Sequence, residues 1–315
     1  MVVYESGGEW AILSPSGKQY EIGLGDQVAA ITEVGGTLRT YRCGDRDVID
    51  GFDESEICPS AHGAVLFPWP NRIKDGTYSY KGKAFQLDLS EPSTSSAIHG
   101  LIRWRPFDLL VQGDNYVTLQ AELSPTPGYP FGLALQITYQ LGSEGLEVLS
   151  KVTNTGGDVA PLGIGYHPYI SLGPNAMVDD AVVSMLAKSC LCSDPKTGVV
   201  KGAVSCLDAN LDFSLGKHLK GVELDQTFLD LARDPDGVGW VYVSGKDDRV
   251  VALWFDAYFS HVQLFTSDTL PGERRRKAIA VEPMTCGPQA FRSGANLLEL
   301  APSEQISMSW GVKLL

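Results

Sequence analysis

Leu133-Ala134-Leu135-Gln136-Ile137-Thr138-Tyr139-Gln140-Leu141 is followed closely by Leu146-Glu147-Val148-Leu149-Ser150-Lys151-Val152-Thr153-Asn154. In both stretches apolar side chains recur at every second position, the period of a strand with one face buried and one face wet. The same alternation, or a β-rich run, recurs at 76–89, 116–123, 238–244, 249–255, 261–266 and 305–315. Turn signatures separate the runs: Ser16-Gly17, Lys81-Gly82, Gly113-Asp114-Asn115, Asn154-Thr155-Gly156-Gly157, Asp234-Pro235-Asp236-Gly237 and Gly245-Lys246-Asp247-Asp248. A chain that reverses this often needs its 34 glycines and 18 prolines. Helical periodicity is confined to short turns, expected within 294–300 or 205–219. With no linker and no internal repeat, residues 1–315 read as one all-β domain, a large antiparallel β-sandwich with long loops at one edge.

Hydrophobic residues make up 43% and charged residues 20% of the 315, enough for a sizeable core and against disorder. No apolar run approaches the roughly 20 residues of a membrane span. The opening Met1-Val2-Val3-Tyr4-Glu5-Ser6 lacks the basic and apolar regions of a secretory leader, so a cytoplasmic protein is expected. A net charge of −13 repels nucleic acid and weighs against polyanionic partners. The one dense basic cluster is Glu273-Arg274-Arg275-Arg276-Lys277, a solvated loop or a guide for a charged sugar. Six cysteines form no CxxC pair and fit free thiols in a reducing compartment. Cys190 and Cys192, if on one strand, stand about 6.6 Å apart, near the limit for a disulfide. A zinc site from Cys190, Cys192, Cys206 and His218 is the remaining metal option, and no metal is expected.

The scarce ionisable groups carry the chemistry. Two of five histidines lie in Gly-, Pro- and aromatic-rich segments, Ala97-Ile98-His99-Gly100 and Gly165-Tyr166-His167-Pro168-Tyr169. His167 precedes a proline, which restricts its backbone to extended or turn conformations and presents its side chain at a strand end. Glu282 ends the apolar run Ala278-Ile279-Ala280-Val281, where a carboxylate is costly unless paired or hydrated at a site. Phe67-Pro68-Trp69-Pro70 removes ladder donors, so it reads as a loop carrying Asn71 and Arg72. Asp225 alone reads as a turn carboxylate and Gln263 alone as an outward-facing strand residue. Taken singly, each has an ordinary structural explanation.

Together these segments resemble the aldose 1-epimerase (galactose mutarotase) family. The resemblance is carried by Phe67-Pro68-Trp69-Pro70-Asn71-Arg72-Ile73-Lys74-Asp75-Gly76, Ile98-His99-Gly100-Leu101, residues 154–169, Leu224-Asp225-Gln226-Thr227-Phe228, Val262-Gln263-Leu264-Phe265-Thr266 and Val281-Glu282-Pro283-Met284-Thr285, in family order. It implies a galactose mutarotase-like β-sandwich in which Glu282 is the general base toward the anomeric hydroxyl and His167 the general acid toward the ring oxygen. It further implies that Asn71, Arg72, His99, Asp225 and Gln263 hold sugar hydroxyls and the ring oxygen, and that Tyr169 lines the pocket. Departures exist: His99-Gly100-Leu101 lacks a second glycine, His167-Pro168-Tyr169-Ile170-Ser171 lacks the familiar Phe-Asn, and Asp225-Gln226 replaces an Asp-His pair. They leave the proton-transfer groups and put galactose specificity in doubt.

Mutarotation moves one proton off the C1 hydroxyl and another onto the ring oxygen. A carboxylate with reference pKa about 4.3 and an imidazole near 6.5 suit those tasks with little tuning. The partner is then a small sugar and no cofactor is implied, because nothing is oxidised and Gly23-Leu24-Gly25 lacks the rest of a phosphate-cradling pattern. Three alternatives stay open. The same reaction on a phosphorylated or sulfonated hexose would use Arg274, Arg275 and Arg276, or Arg103 and Arg105, as an anion clamp. A sugar-binding protein would keep the scaffold without catalysis. A glycoside hydrolase would pair Asp225 with Glu282 and leave His167 idle.

Overall fold

The computed structural model describes residues 14–194 and 200–315; the opening Met1–Ser6 lies outside the described residues. Strands make up 50% of the described residues and helix 5%. Two large antiparallel sheets dominate. The first runs, edge to edge, through Gln19–Leu24, Gln27–Thr32, Leu38–Cys43, Arg46–Ile49, Tyr169–Ser171, Ala278–Met284, His261–Phe265, Asp225–Leu231, Ala187–Ser193 and Val200–Ser205. Short strands Gly165–Tyr166 and Val65–Leu66 attach to it beside Ala278–Met284. The second sheet contains Leu133–Gly142 and Gly145–Asn154, paired in register from Leu133↔Asn154 to Gly142↔Gly145. The alternation read in the sequence is the alternation of burial: Leu133, Leu135, Ile137, Tyr139 and Leu141 are inside, together with Leu146, Val148 and Val152.

One cluster of buried side chains extends from Tyr20 to Val312 and holds the sheets together. Tyr166 of the first sheet packs its ring 5.2 Å from Trp310 of the second and hydrogen-bonds Ser150. Tyr139 of the second sheet donates to the Gly36 carbonyl at 2.5 Å.

Strand Ala278–Met284 is buried at every position, which explains its unbroken apolar run. Ile279 and Val281 join the main core, whereas Ala278 and Ala280 belong to a separate small cluster with Tyr169 and Leu270. Period two therefore turns Glu282 to the Ala280 side, the outer face of the first sheet. That face is covered by loops around 59–72, 98–103 and 265–271, whose residues line a cavity with it.

Two local expectations shift. The α-helix is Ala290–Ser293, ended by Gly294 in the left-handed region, and 294–300 runs into strand Leu298–Leu300 instead. Residues 206–210 form turns, not a helix. All six cysteines are free, and no His/Cys/Asp/Glu group among the described residues could hold a metal.

Gly100 ties the His99 loop to the Phe67 loop. Its φ is +73°, and a Cβ added there would lie 2.0 Å from the Phe67 carbonyl oxygen, a backbone atom with no freedom to yield. Gly100→Ala is therefore expected to cost at least about 1–3 kcal/mol in chemical denaturation and to displace Asn71 and His99; an unchanged midpoint would contradict this packing.

Candidate active site

The register of the first sheet brings the distant segments together. Tyr169 and Phe265 are both Cα partners of Ala280, and Asp225 is the partner of Phe265. Two residues along, Glu282 partners Gln263 and Gln263 partners Thr227. These are two rows on one face, and Ala280 keeps only a methyl group between the Tyr169 and Phe265 rings. His167 stands two residues before Tyr169, so it projects to the same face beside Glu282. The His167 Nε2 and the Glu282 Oε1 are 3.3 Å apart.

Both groups are buried, His167 at 5% exposure and Glu282 at 2%. Glu282 Oε2 and His167 Nδ1 have no hydrogen-bond partner among the described residues. Burial, reinforced by the Asp225 charge, pushes the Glu282 carboxyl well above the usual carboxylate range, with Arg72 opposing. Burial lowers His167 to about 3, with the nearby His62, Arg103 and Arg72 acting in the same direction. Both shifts run against the expectation of an ionised base and a readily protonated acid without tuning. They favour the uncharged form of each group, because low dielectric penalises both ions.

His99 is built as a fixed donor. Its Nδ1 accepts the Asn71 backbone N–H at 3.2 Å, and the His99 backbone N–H returns a bond to the Asn71 carbonyl at 2.9 Å. An accepting Nδ1 leaves the proton on Nε2. Burial first, then Arg103, holds His99 neutral, well below the ordinary histidine value. Asn71 and His99 both adopt positive φ, 55° and 60°, the strain that aims this pair.

Arg72 grips Glu91 bidentately, Nε to Oε2 at 2.6 Å and Nη2 to Oε1 at 2.9 Å, while Nη1 faces Asp225 at 3.6 Å. This fork fixes the guanidinium plane. Gln263 donates to Asp225 Oδ1 at 2.6 Å and accepts from the Thr227 hydroxyl. Tyr169 spends its hydroxyl on the Ser60 carbonyl at 3.1 Å and presents its ring, stacked 4.9 Å from His167.

Seven of the eight residues singled out in the sequence line one cavity of about 370 Å³: Asn71, Arg72, His99, His167, Tyr169, Asp225 and Glu282. Gln263 does not; it stands behind Asp225 and lines an adjoining cavity. The basic cluster does not line this cavity, and three of its four cations are paired: Arg274 binds Glu56, Arg276 binds Asp179 and Asp268, and Lys277 binds Asp50. Arg103 lines the cavity and Arg105 does not. Sequence reading missed Glu91, His62 and Phe265. Phe265 was findable as the i+2 neighbour of Gln263, whereas nothing in Ser90-Glu91-Pro92 announces a partner for Arg72.

The aldose 1-epimerase family profile matches residues 18–312. The chain belongs to the aldose 1-epimerase family. It is 34% identical over 288 residues to the uncharacterized protein YihR of Escherichia coli strain K12, covering 90% of this chain and 89% of that one. Pig (Sus scrofa) galactose mutarotase is 27% identical over 265 residues, covering 76% and 73%. Among solved structures, a GalM/aldose epimerase homologue from C. elegans superposes with a TM-score of 0.84 at 18% identity, covering 95% and 98%. A galactose mutarotase-like protein from Clostridium acetobutylicum gives 0.81 at 17% identity, covering 94% of each chain. These two share the fold. In this family member no described helix is long and apolar enough to cross a membrane.

The raised Glu282 carboxyl has a thermodynamic signature. The folded pKa of Glu282 is raised, so below the unfolded carboxyl value both states are protonated and the group costs nothing. As pH climbs beyond it, only the unfolded state ionises freely and stability is lost. Glu282→Gln removes that loss, so its melting temperature should exceed wild type by a larger margin at pH 8 than at pH 5. An equal margin at both values would contradict the shift.

Proposed function

We propose that the protein interconverts the α and β anomers of an aldohexose by general acid–base ring opening and reclosure, as one domain organised around the large core cluster of its described residues. The observation that supports this most is the 3.3 Å contact between His167 Nε2 and Glu282 Oε1 on the wall of a sugar-sized cavity. An anomeric hydroxyl and a ring oxygen are bonded to the same carbon, so acid and base must also be neighbours.

A bound sugar supplies what the ion-pair form of the dyad lacks. The C1 hydroxyl donates to a Glu282 carboxylate, and the ring oxygen accepts from a His167 imidazolium. Ring opening then moves the hydroxyl proton to Glu282 and the His167 proton to the ring oxygen, while the C1–O5 bond breaks and C1 becomes an aldehyde. The dyad returns to the neutral state that burial favours, so the low dielectric assists the bond-breaking direction. After rotation about C1–C2, reclosure reverses both transfers. His99, Arg72 with Asp225, and Asn71 hold the hydroxyls and keep the open chain in place.

A positioned proton-transfer group contributes about 10²–10⁴-fold, so Glu282→Gln should lose roughly 3–5.5 kcal/mol of transition-state stabilisation. Polarimetry on freshly dissolved α-D-glucose and α-D-galactose tests this, with near-wild-type acceleration by Glu282→Gln the contradicting result.

Arg103 favours a second reading, the same reaction on a hexose bearing a phosphate or sulfonate. Its guanidinium lines the cavity and bonds the Ile98 carbonyl at 3.5 Å, with no carboxylate within 4.0 Å among the described residues. Charge-assisted bonds contribute about 1.5–3 kcal/mol. On this reading Arg103→Met raises KM for glucose 6-phosphate about tenfold or more and leaves KM for glucose unchanged. Equal effects on both sugars would remove the second reading.

A further inference from the structure

Behind the cavity wall lies a third histidine that the ring-opening scheme does not use. His62 is 1% exposed, and its ring stacks on Tyr169 at 3.7 Å between centroids with an 8° interplanar angle. Tyr169 is in turn stacked on His167, so its ring separates two imidazoles. His62 Nδ1 is 2.7 Å from the Pro59 carbonyl, and a carbonyl only accepts, so Nδ1 carries a proton. Its Nε2 faces Asp50 Oδ2 at 3.5 Å, an ion-pair distance without hydrogen-bond geometry.

Asp50 is anchored by Lys277 at 3.0 Å. Burial works against its ionisation, but His62 and Lys277 outweigh it and hold the carboxyl below its ordinary value. An ionised carboxylate therefore faces the one ring nitrogen of His62 that is free to take a proton. The backbone welds this arrangement to the site: Gly63 N–H donates to the His167 carbonyl at 2.9 Å, and His167 N–H donates to the Ala64 carbonyl at 3.0 Å. The same turn presents Ser60 and Ala61 to the cavity, and Tyr169 caps Ser60 from the other side.

We propose that His62, braced by Asp50 behind Tyr169, is a positioning residue: a cation held outside the cavity that governs how tightly His167 binds its proton. It rests on the role given above to His167. The groups facing His167 are Glu282, His99 with its ring 5.4 Å away, Tyr169, and the more distant Arg72 and Arg103. Those facing His62 are Asp50, Tyr169 and, behind Asp50, Lys277; the Cys58 thiol donates to the His62 carbonyl and not to its ring. Arg72 and Arg103 are permanent charges, whereas the free ring nitrogen of His62 faces the Asp50 carboxylate. With His62 charged, an imidazolium at His167 is short-lived and its proton is passed readily to a ring oxygen.

The test reads His167 directly, without relying on turnover. In protein labelled with ¹⁵N-histidine, the His167 ring is titrated by NMR in wild type, His62→Phe and His62→Gln. Phe keeps the stack without the charge, and Gln keeps a donor for the Pro59 carbonyl, so whichever variant folds carries the test. The expected result is that His167 takes up its proton at higher pH in both variants, and that the acid limb of kcat/KM moves up with it. A His167 titration unchanged from wild type, with only stability altered, would overturn the proposal and leave His62 a packing residue. A shifted titration in a protein that does not accelerate mutarotation would keep the inference about His62 and defeat the functional reading instead.

Discussion

A carboxyl group at 2% exposure, 3.3 Å from an imidazole at 5%, is the constraint to which the rest of this site answers. Neither group could be held there charged without a partner, since desolvation of an isolated ion exceeds what the fold can supply. Burial favours the neutral form of each. Everything around it keeps that balance reversible: Arg72 pulls Glu282 toward ionisation and Asp225 pushes it back. Glu91 and Gln263 in turn hold Arg72 and Asp225 in place.

On the proposed function, this arrangement makes catalysis a matter of differential stabilisation. The sugar would complete the hydrogen bonds of the charged form, and ring opening would discharge it. The step would then need no large motion, and the protein's contribution would be a dry, preorganised wall. The wall is rigid for local reasons. Positive φ at Asn71 and His99, the close approach at Gly100 and the paired main chains at 63–64 and 167 each leave little freedom.

Much of this was legible in the chain. Alternation at 133–141 and 146–154 gave the strands because one face of each is wet. Glu282 stood out because an apolar run ended in a carboxylate, and both faces of that strand are indeed buried. What stayed hidden was the cross-strand register, which sequence spacing does not encode. It decides that Glu282 meets Gln263 and that Asp225 sits one row away. The partners of the basic run at 274–277 stayed hidden for a related reason. Glu56, Asp179, Asp268 and Asp50 come from distant segments to meet Arg274, Arg276 and Lys277. The pKa shifts were likewise invisible, because burial is a property of the folded surroundings and not of the residue.

The neutral form of the pair is most directly examined by infrared difference spectroscopy of the sugar-free protein at neutral pH, comparing wild type with Glu282→Gln. A protonated carboxyl band present in wild type and missing from the variant is the expected result. A wild-type spectrum in which Glu282 contributes only carboxylate bands at that pH would contradict it, and the proton would then have to rest on His167.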